Sequence, residues 1–492
     1  MSVRAAAIWA IASQYLSFTI QFAASVVIAR WFIGPDELGL FSIAFAAVAT
    51  IALLQDFGVT RYIVGEPDLD SRKLASAFAL SVTVAWGVAT IALLAARPVA
   101  AFYGDPRLVP VTAVIAASYL LVPLAIVPQA LRQRAMDFRS NTLIEIGAAA
   151  ANAGTAIALG ALGFGALSLA WGAFAQQVAR TLISQWRNGI TLPLPFSLKG
   201  SAPLLRFGGG NSLLVLIGAV GMRAPELVIG RMIGTIAVGL LARATGLAAQ
   251  LRTLVSGAVA GVFYPAFARL RDSGEPLGPP YVRVVAAYTA VTWPAMAGIA
   301  VLAEPLIRIL YGERWLATAP LLAWVALAQV CYVALPLHIE LPMLTGRMRQ
   351  LVVRNCLDTL ASIALLFALA PFGVAGAALS RFAHGLVWIA IYAGFLRRCL
   401  GFGWGALVSV WLRSAVASLA AVGPLYLGYA CWAPAAAAGM AQILATTLAG
   451  IGCWLVALRL TAHPAYAEIV ETLVHLRDAL PPVRGLPRES RG

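Results

Sequence analysis

Several arginines stand inside long apolar stretches of the chain, where a permanent positive charge is costly. Three of them, Arg223, Arg243 and Arg381, are the candidates for contact with a ligand. The guanidinium group stays charged and binds phosphate oxygens through two parallel hydrogen bonds, so arginines in such places predict a site for an anion. Arg243 is the strongest candidate because its own apolar segment contains no acidic residue, and Arg381 is the second.

Acidic residues and a histidine accompany these arginines. Glu226 follows Arg223 by three residues with Pro225 between them, so a self-neutralising pair at a helix kink and a contact with substrate are both open. His384 shares a helix face with Arg381 and is a candidate proton-linked switch, although a neutral hydrogen-bonded histidine is the commoner case. The candidates for ion or proton coupling or for gating are Asp56, Glu145, Glu226, His384 and Asp358.

Two of these acidic residues have structural interpretations as well. Asp358 follows Arg354 by four residues, and this spacing favours a structural ion pair over a functional role. Asp56 and Arg61 lie at the end of an apolar segment, where an interfacial lock is an equal alternative to an ion site.

Amide side chains form a further polar set in the apolar segments. Residues seven apart share a helix face. Gln14 and Gln21 have this spacing, and so do Arg243 and Gln250. Amides between helices often serve for packing alone, but their donors and acceptors also suit sugar hydroxyls. Besides the three arginines, the predicted substrate-binding residues are Gln14, Gln21, Gln250, Asn152 and Gln176.

The elements that position these residues are membrane-spanning helices. Of 492 residues, 61% are hydrophobic and 11% are charged, whereas a soluble domain carries roughly a quarter charged residues. The mean hydropathy is +0.86. A span needs about 20 apolar residues, which predicts an all-α polytopic membrane protein with about fourteen transmembrane helices, the first of them not a cleavable signal. The predicted spans are 8–33, 38–60, 74–96, 108–131, 140–161, 164–186, 207–231, 235–263, 282–306, 317–343, 350–371, 373–396, 404–429 and 436–459.

The placement of cations predicts the orientation. Loops after even-numbered spans hold most of them, for example Arg72, Lys73, Arg132 and Arg134, and loops after odd-numbered spans hold few. Lysine and arginine favour the cytoplasmic side, so both termini are expected in the cytoplasm, below a bacterial inner membrane. Topology and attraction to anionic lipid then explain the net charge of +15, and nucleic acid is not expected as a partner.

The two halves of the chain resemble each other at an offset of about 200–214 residues. The matching segments are Arg30–Gly34 with Arg231–Gly234, Gly39 with Gly239, and Phe102–Asp105 with Leu310–Glu313. Because the offset covers an even number of spans, it predicts two parallel repeats of about six helices each, an architecture of transporters. The expected domains are an N-lobe over 1–200, a C-lobe over 201–400, two additional helices over 401–460 and a cytoplasmic tail over 461–492.

Several motifs resemble those of a known family. Val27 to Phe41 is similar to the signature at the end of the first helix of polysaccharide flippases, and the segments that fit the same family are Leu54–Gly58, Phe102–Pro106, Pro128–Arg139 and Ile229–Ala244. Over about residues 5–400 the chain resembles the polysaccharide transporter branch of the multidrug/oligosaccharidyl-lipid/polysaccharide exporter superfamily. Phe18, Gln21 and Ala24 stand where murein-precursor flippases of this superfamily carry arginines, which favours the polysaccharide branch.

The resemblance implies a transporter and not an enzyme: a two-lobed bundle that opens alternately to either side around a cationic central cavity. It also implies the substrate, an undecaprenyl-pyrophosphate-linked oligosaccharide moved from the cytoplasmic to the periplasmic leaflet for lipopolysaccharide O-antigen, capsule or exopolysaccharide assembly. The expected partners are this lipid, the phospholipid bilayer and polysaccharide polymerase or ligase machinery. No cofactor or metal is expected, since the cysteines form neither a CxxC pair nor a metal spacing.

Two other functions are weighed against this one. A cation-coupled multidrug antiporter of the same superfamily would need carboxylates in its N-lobe cavity, where Glu145 is the one clear candidate besides Asp56. A polysaccharide polymerase or ligase would need catalytic groups in sizeable external loops, and the loops between the predicted spans are short. The glycines Gly208, Gly209 and Gly210 follow no predicted strand and so do not predict a phosphate loop.

Overall fold

A computed structural model of the chain describes residues 3–52, 59–188, 221, 223–256, 259–431 and 439–466. All regular secondary structure within these ranges is helical, which confirms the predicted all-α class. Ten helical segments of the described residues are long and apolar enough to cross a membrane, and one of them, Met348–Leu400, consists of two helices in succession.

The helices are numbered along the chain. They are α1 (Val3–Val27), α2 (Pro35–Ala52), α3 (Val59–Gly65), α4 (Ser71–Tyr103), α5 (Leu108–Ser118), α6 (Val122–Arg134), α7 (Phe138–Ala161), α8 (Ala166–Asn188), α9 (223–232), α10 (Thr235–Ser256), α11 (Val259–Asp272), α12 (Gly278–Val301), α13 (Ala303–Tyr311), α14 (Ala319–Tyr332), α15 (Glu340–Leu344), α16 (Met348–Leu369), α17 (Gly373–Leu400), α18 (Trp404–Cys431) and α19 (Met440–Leu460). A π-helical turn, Ile28–Phe32, continues α1.

Proline interrupts two of the predicted spans. The prediction of one continuous helix over 317–343 is wrong, because α14 ends at Tyr332 and residues 333–339 are irregular before α15 begins. Pro336 lies in this irregular segment; it lacks a backbone donor and disfavours helical geometry in the residue before it. Likewise, the predicted span 108–131 consists of α5 and α6 joined by a 3-10 turn, with Pro123 directly after the turn.

The chain folds into two compact units. The first comprises Met1–Leu251, Ala303–Ala328 and Met348–Ile391, and the second Arg252–Leu302, Gln329–Arg347 and Tyr392–Gly492. The predicted division into lobes at residues 200 and 400 stays a prediction.

Within the first unit, α7 and α8 pack closely because small residues lie at their interface. A Cβ on Gly172 would lie 2.9 Å from the Ala156 side chain and 3.1 Å from Asn152 O, and a Cβ on Gly147 would lie 2.6 Å from Ile183 Cδ1. Small residues at such positions let helix backbones approach within a membrane. This close packing brings the polar residues of α7 and α8 within hydrogen-bonding distance of each other.

Helices α2 and α10 cross where their glycines meet. A Cβ on Gly39 would lie 1.8 Å from Thr235 O, and a Cβ on Gly239 would lie 1.8 Å from Pro35 O. No side chain fits there, so glycine is required at both positions. Thr235 and Pro35 are themselves related by the offset between the halves, so the crossing is the reciprocal contact that a parallel repeat predicts.

The second unit has a core between α12, α18 and α19. A Cβ on Gly450 would lie 2.3 Å from Ala421 O, so α18 and α19 pack backbone to backbone. A buried polar chain links His463 Nε2 to Ser414 Oγ at 3.0 Å and Ser414 Oγ to Thr289 Oγ1 at 2.8 Å. Because His463 Nδ1 accepts from the Ala465 N–H at 3.2 Å, the imidazole is neutral and donates from Nε2.

Candidate functional site

A polar cavity of about 330 Å³ lies within the first unit. Helices α1, α2, α7, α8 and α10 contribute its walls. The polar residues that line it are Gln21, Ser25, Ser42, Asn152, Gln176, Arg243 and Gln250. Five of the predicted substrate-binding residues therefore meet at one cavity, although they come from segments far apart in the sequence.

Among the described residues that line this cavity, Arg243 is the one that carries a charge. It is only 9% exposed, and its Nη1 donates to Ser25 Oγ at 2.5 Å. Its Cζ lies 4.7 Å from the ring centre of Tyr311 and 5.1 Å from that of Trp315. Aromatic faces attract a cation, most strongly where water is excluded, so the guanidinium is held in place beside the cavity.

Two of the four amide side chains that line the cavity are hydrogen-bonded to each other. Asn152 Nδ2 donates to Gln176 Oε1 at 3.0 Å, and this bond joins α7 to α8. Gln21 of α1 and Gln250 of α10 line the same cavity. Each amide has more donor and acceptor sites than one hydrogen bond uses, so the wall can bind a hydroxyl-rich ligand.

Arg223 and Arg381 lie elsewhere in the first unit. The Arg223 guanidinium stacks on the Phe45 ring with Cζ 5.1 Å from the ring centre. Glu226 is half-buried and lies within electrostatic range of both Arg223 and Arg381. The described lining of the polar cavity includes neither arginine, so the three predicted arginines are not brought together around this cavity.

Acid–base pairs account for three further predicted residues. His384 is buried, and its Nε2 lies 2.9 Å from Asp358 Oδ1, which joins α16 to α17. Glu145 and Arg180 form a bidentate pair, with Nη2–Oε2 at 2.8 Å and Nε–Oε1 at 3.1 Å. Glu145 is therefore paired with a cation of α8. It is not among the described residues that line the polar cavity.

The structure does not describe the side chains of two predicted residues. Asp56 lies outside the described residues. Gln14 belongs to α1, but its side chain is also outside them.

The sequence did not predict the three residues that contact Arg243. Ser25 follows Gln21 by four residues, and helical spacing alone would have placed it on the same face of α1. Tyr311 belongs to the repeated Tyr-Gly motif, and Trp315 follows it by four residues. Both aromatic residues reach Arg243 only through the tertiary fold.

The family of the chain follows from its match to other sequences. Residues 27–320 match the polysaccharide biosynthesis protein family. This match covers more than half of the 492 residues, and the chain belongs to that family. The match confirms the predicted resemblance to a family of polysaccharide biosynthesis.

Two relatives are named for polysaccharide pathways. The succinoglycan biosynthesis transport protein ExoT of Rhizobium meliloti (strain 1021) is 26% identical over 324 residues, which are 65% of this chain and 65% of ExoT. The lipopolysaccharide biosynthesis protein WzxC of Escherichia coli (strain K12) is 23% identical over 316 residues, 64% of each chain. The chain therefore spans slightly less than two thirds of the length of these relatives.

A solved structure shares the fold over nearly the whole chain. The lipid II flippase MurJ in an inward closed conformation superimposes with a TM-score of 0.72 and 13% identity, covering 94% of this chain and 99% of MurJ. At this identity the likeness concerns the fold alone. It agrees with the prediction of a polytopic all-α membrane protein.

Proposed function

We propose that the chain is a flippase that moves an undecaprenyl-pyrophosphate-linked oligosaccharide from the cytoplasmic to the periplasmic leaflet. The observation that carries this proposal is the buried Arg243 at the wall of an amide-lined cavity. A guanidinium binds phosphate oxygens in a bidentate geometry, and the neighbouring amides can bind sugar hydroxyls. The product would serve lipopolysaccharide O-antigen, capsule or exopolysaccharide assembly.

The energetic problem of such transport is the charge of the head group. A pyrophosphate carried bare through hydrocarbon would lose its hydration, which costs far more than thermal energy. Arg243 and the amides Gln21, Asn152, Gln176 and Gln250 would replace part of that hydration. The polyprenyl tail would stay in lipid, and alternating access to the two sides of the membrane would complete the transfer with no chemistry on the substrate.

The relatives support the same pathway. ExoT is named as a transport protein of succinoglycan biosynthesis and WzxC as a protein of lipopolysaccharide biosynthesis. The distribution of arginine and lysine supports insertion in the inner membrane with both termini in the cytoplasm. Besides the lipid substrate and the bilayer, the proposed partners are the polymerase or ligase enzymes that would consume the translocated glycan.

The alternative of a cation-coupled antiporter has less support from the cavity. None of its described lining residues is acidic, and Glu145 is paired with Arg180 through two hydrogen bonds. A site for an organic cation or for Na⁺ needs uncompensated carboxylates. Coupling or gating by Asp56, Glu145, Glu226, His384 or Asp358 stays a prediction.

Substitution of Arg243 tests the proposed function. The chain would be expressed in a bacterial strain that lacks its own polysaccharide flippase, and surface glycan would be measured beside protein abundance in the membrane. Arg243→Gln should reduce glycan export at least about tenfold, since one charge-assisted hydrogen-bonded contact with phosphate is lost. Arg243→Lys keeps the charge but not the planar fork, and should retain part of the export.

The matched control is Arg97→Gln, which removes an exposed arginine of α4. Export by this variant should equal that of the wild type. The lipid-linked oligosaccharide should accumulate in the cytoplasmic leaflet of cells with Arg243→Gln and not in the control. Normal export by Arg243→Gln at wild-type abundance would contradict the proposed role of the cavity.

A further inference from the structure

The repeated Tyr-Gly motif gives each half of the chain a turn at the end of a helix. The first turn, Phe102–Arg107, begins in the last two residues of α4, and the second turn, Leu310–Trp315, begins in the last two residues of α13. In both, the glycine has positive φ, +70° at Gly104 and +82° at Gly312, which glycine adopts without strain. The proposed flippase function does not by itself explain why this motif is repeated.

The second turn packs directly on the arginine of the cavity. Tyr311 and Trp315 are 1% and 0% exposed, and their ring centres are 6.3 Å apart. Arg243 lies within 4.7 Å of the first ring centre and 5.1 Å of the second. The two rings therefore fix the guanidinium from one side, while Ser25 accepts its hydrogen bond.

The same turn is bound to the end of α1. Trp315 Nε1 donates to Ala29 O at 2.8 Å, and Arg30 Nη1 donates to Ile309 O just before the turn. Ala29 lies in the π-helical turn, and the Gly34 N–H that would continue this pattern instead donates to the Glu37 carboxylate. The Ala29 carbonyl is thereby left to the indole of Trp315.

We infer that Trp315 and Tyr311 are positioning residues for Arg243, and that they link anion binding in the cavity to the Trp315–Ala29 contact. The inference rests on the proposed function, because it takes Arg243 as the group that binds the pyrophosphate. While the contact is made, both rings are held against the guanidinium and orient it. When the contact breaks, the second turn is released from α1 and Arg243 loses the rings that position it.

Thermodynamic linkage makes this coupling reciprocal. If the Trp315–Ala29 contact favours the arginine geometry that binds an anion, then a bound anion must strengthen the contact by the same factor. Typical coupling between two sites changes affinity about 5- to 150-fold. A ligand that binds one arrangement of these residues better than the other shifts the equilibrium toward it.

Binding of inorganic pyrophosphate to the purified full chain in detergent tests the inference. Affinity would be measured by calorimetry, and protection of residues 28–40 by amide hydrogen exchange. Trp315→Phe keeps an aromatic ring but removes the indole donor, and should weaken binding about tenfold, the effect of one buried hydrogen bond. Pyrophosphate should protect residues 28–40 in the wild type and not in Trp315→Phe.

The matched control is Tyr103→Phe at the first turn. It also removes one hydrogen bond to a backbone carbonyl, since Tyr103 Oη donates to Leu227 O at 2.9 Å. Its pyrophosphate affinity should stay within about twofold of the wild type, because Tyr103 is not among the described residues that line the polar cavity. If Trp315→Phe does not fold, Arg30→Gln tests the same link through the Arg30–Ile309 hydrogen bond, because Arg30 is exposed; its affinity should fall severalfold.

The outcomes separate this inference from the function on which it rests. Equal affinity and equal protection in wild type and Trp315→Phe, or in wild type and Arg30→Gln, would overturn the link while leaving the anion site in place. A wild type that binds no pyrophosphate would overturn both. A loss of affinity as large in Tyr103→Phe would show a general loss of stability and would also overturn the link.

Discussion

The two Tyr-Gly turns share a glycine with positive φ and differ in their side-chain surroundings. Four residues after the tyrosine stands Arg107 in the first turn and Trp315 in the second. Arg107 is exposed and pairs with Asp105 at 2.6 Å and with Asp36 at 2.8 Å. Trp315 is fully buried and packs on Arg243. One turn is held by ion pairs near solvent, and the other holds a buried cation.

The helices that cross at Gly39 and Gly239 differ in the same way. Four residues after the crossing glycine, α2 has Ile43 and α10 has Arg243. Ile43 is fully buried, and a Cβ on Gly230 would lie 2.7 Å from its Cδ1 and 3.0 Å from Tyr103 Cε1. The first half therefore packs tyrosine and isoleucine against a glycine, and the second half packs tyrosine and tryptophan against an arginine.

The difference shows how a repeat can be divided between two tasks. Backbone features that both halves need are kept in both: the crossing glycines and the glycines with positive φ. Side chains that only one half needs have diverged, so that one copy is an apolar and ion-paired contact and the other positions the cation of a cavity. Substitutions of the matched glycines should therefore lower stability equally in the two halves. Substitutions of the matched side chains should lower it unequally.

The largest expected difference is between Trp315→Ala and Arg107→Ala. Removing a buried tryptophan leaves a cavity and costs about 3–5 kcal/mol, whereas breaking exposed ion pairs costs about 0.2–1 kcal/mol each. The apparent free energy of unfolding in SDS titrations of the purified protein measures both. Comparable losses in the two variants would mean that the two turns are equally packed, contrary to the burial of Trp315 and the exposure of Arg107.

A smaller effect, equal in both halves, is expected at the crossing. Gly39→Ala and Gly239→Ala each place a Cβ 1.8 Å from a backbone oxygen, and such overpacking costs about 1–3 kcal/mol. The melting temperatures of the two variants should fall by similar amounts. Gly87→Ala is the control, since a Cβ there meets nothing within 4 Å. A large drop in one crossing variant alone would argue against a reciprocal contact.

The smallest effect concerns pH at the first turn. The Arg107 side chain hydrogen-bonds Asp105 and holds the pKa of that carboxyl below its usual value. A lowered pKa in the folded state contributes stability above the unfolded-state pKa, and this contribution is lost as pH falls through the folded-state pKa. On acidification from about pH 5 to pH 3, the free energy of unfolding of the wild type should therefore fall by at most about 1 kcal/mol more than that of Arg107→Gln.

Thermal melting at low and high salt measures this pH dependence. High salt should reduce the difference between the two proteins, because exposed charges are screened. Arg314→Gln, at an exposed arginine of the second turn, should keep the pH dependence of the wild type. If Arg107→Gln also keeps it, the Asp105–Arg107 pair contributes no stability.

The sequence predicted the membrane-spanning helices better than it predicted the breaks within them. Long apolar segments must form helices in lipid, because no water is present to satisfy an open backbone, and so the span around α7 or α19 follows from composition. The break after Tyr332 does not, although Pro336 lies there. A proline in an apolar segment is compatible with a kinked helix or with an ended one, and packing by neighbouring helices decides between them.

Part of the candidate site was predictable in the same sense. Arg243, Gln21 and Gln250 stand out because a polar residue in an apolar segment is costly, and helical spacing puts Arg243 and Gln250 on one face. Arg223 and Arg381 stand out equally, yet neither is among the described lining residues of the polar cavity. Cost alone identifies residues that need a partner, but it does not say whether the partner is a ligand, a ring such as Phe45 or a carboxylate.

The sequence by itself determined the membrane class, the helical fold, the repeat and the family, because these depend on composition, period and order along the chain. The tertiary structure alone decided that Tyr311 and Trp315 pack on Arg243 and that Asn152 binds Gln176. Such contacts join segments far apart in sequence, and they depend on rotamers and on helix approach that no local pattern specifies. A buried cation is accommodated by whichever groups the packing brings to it.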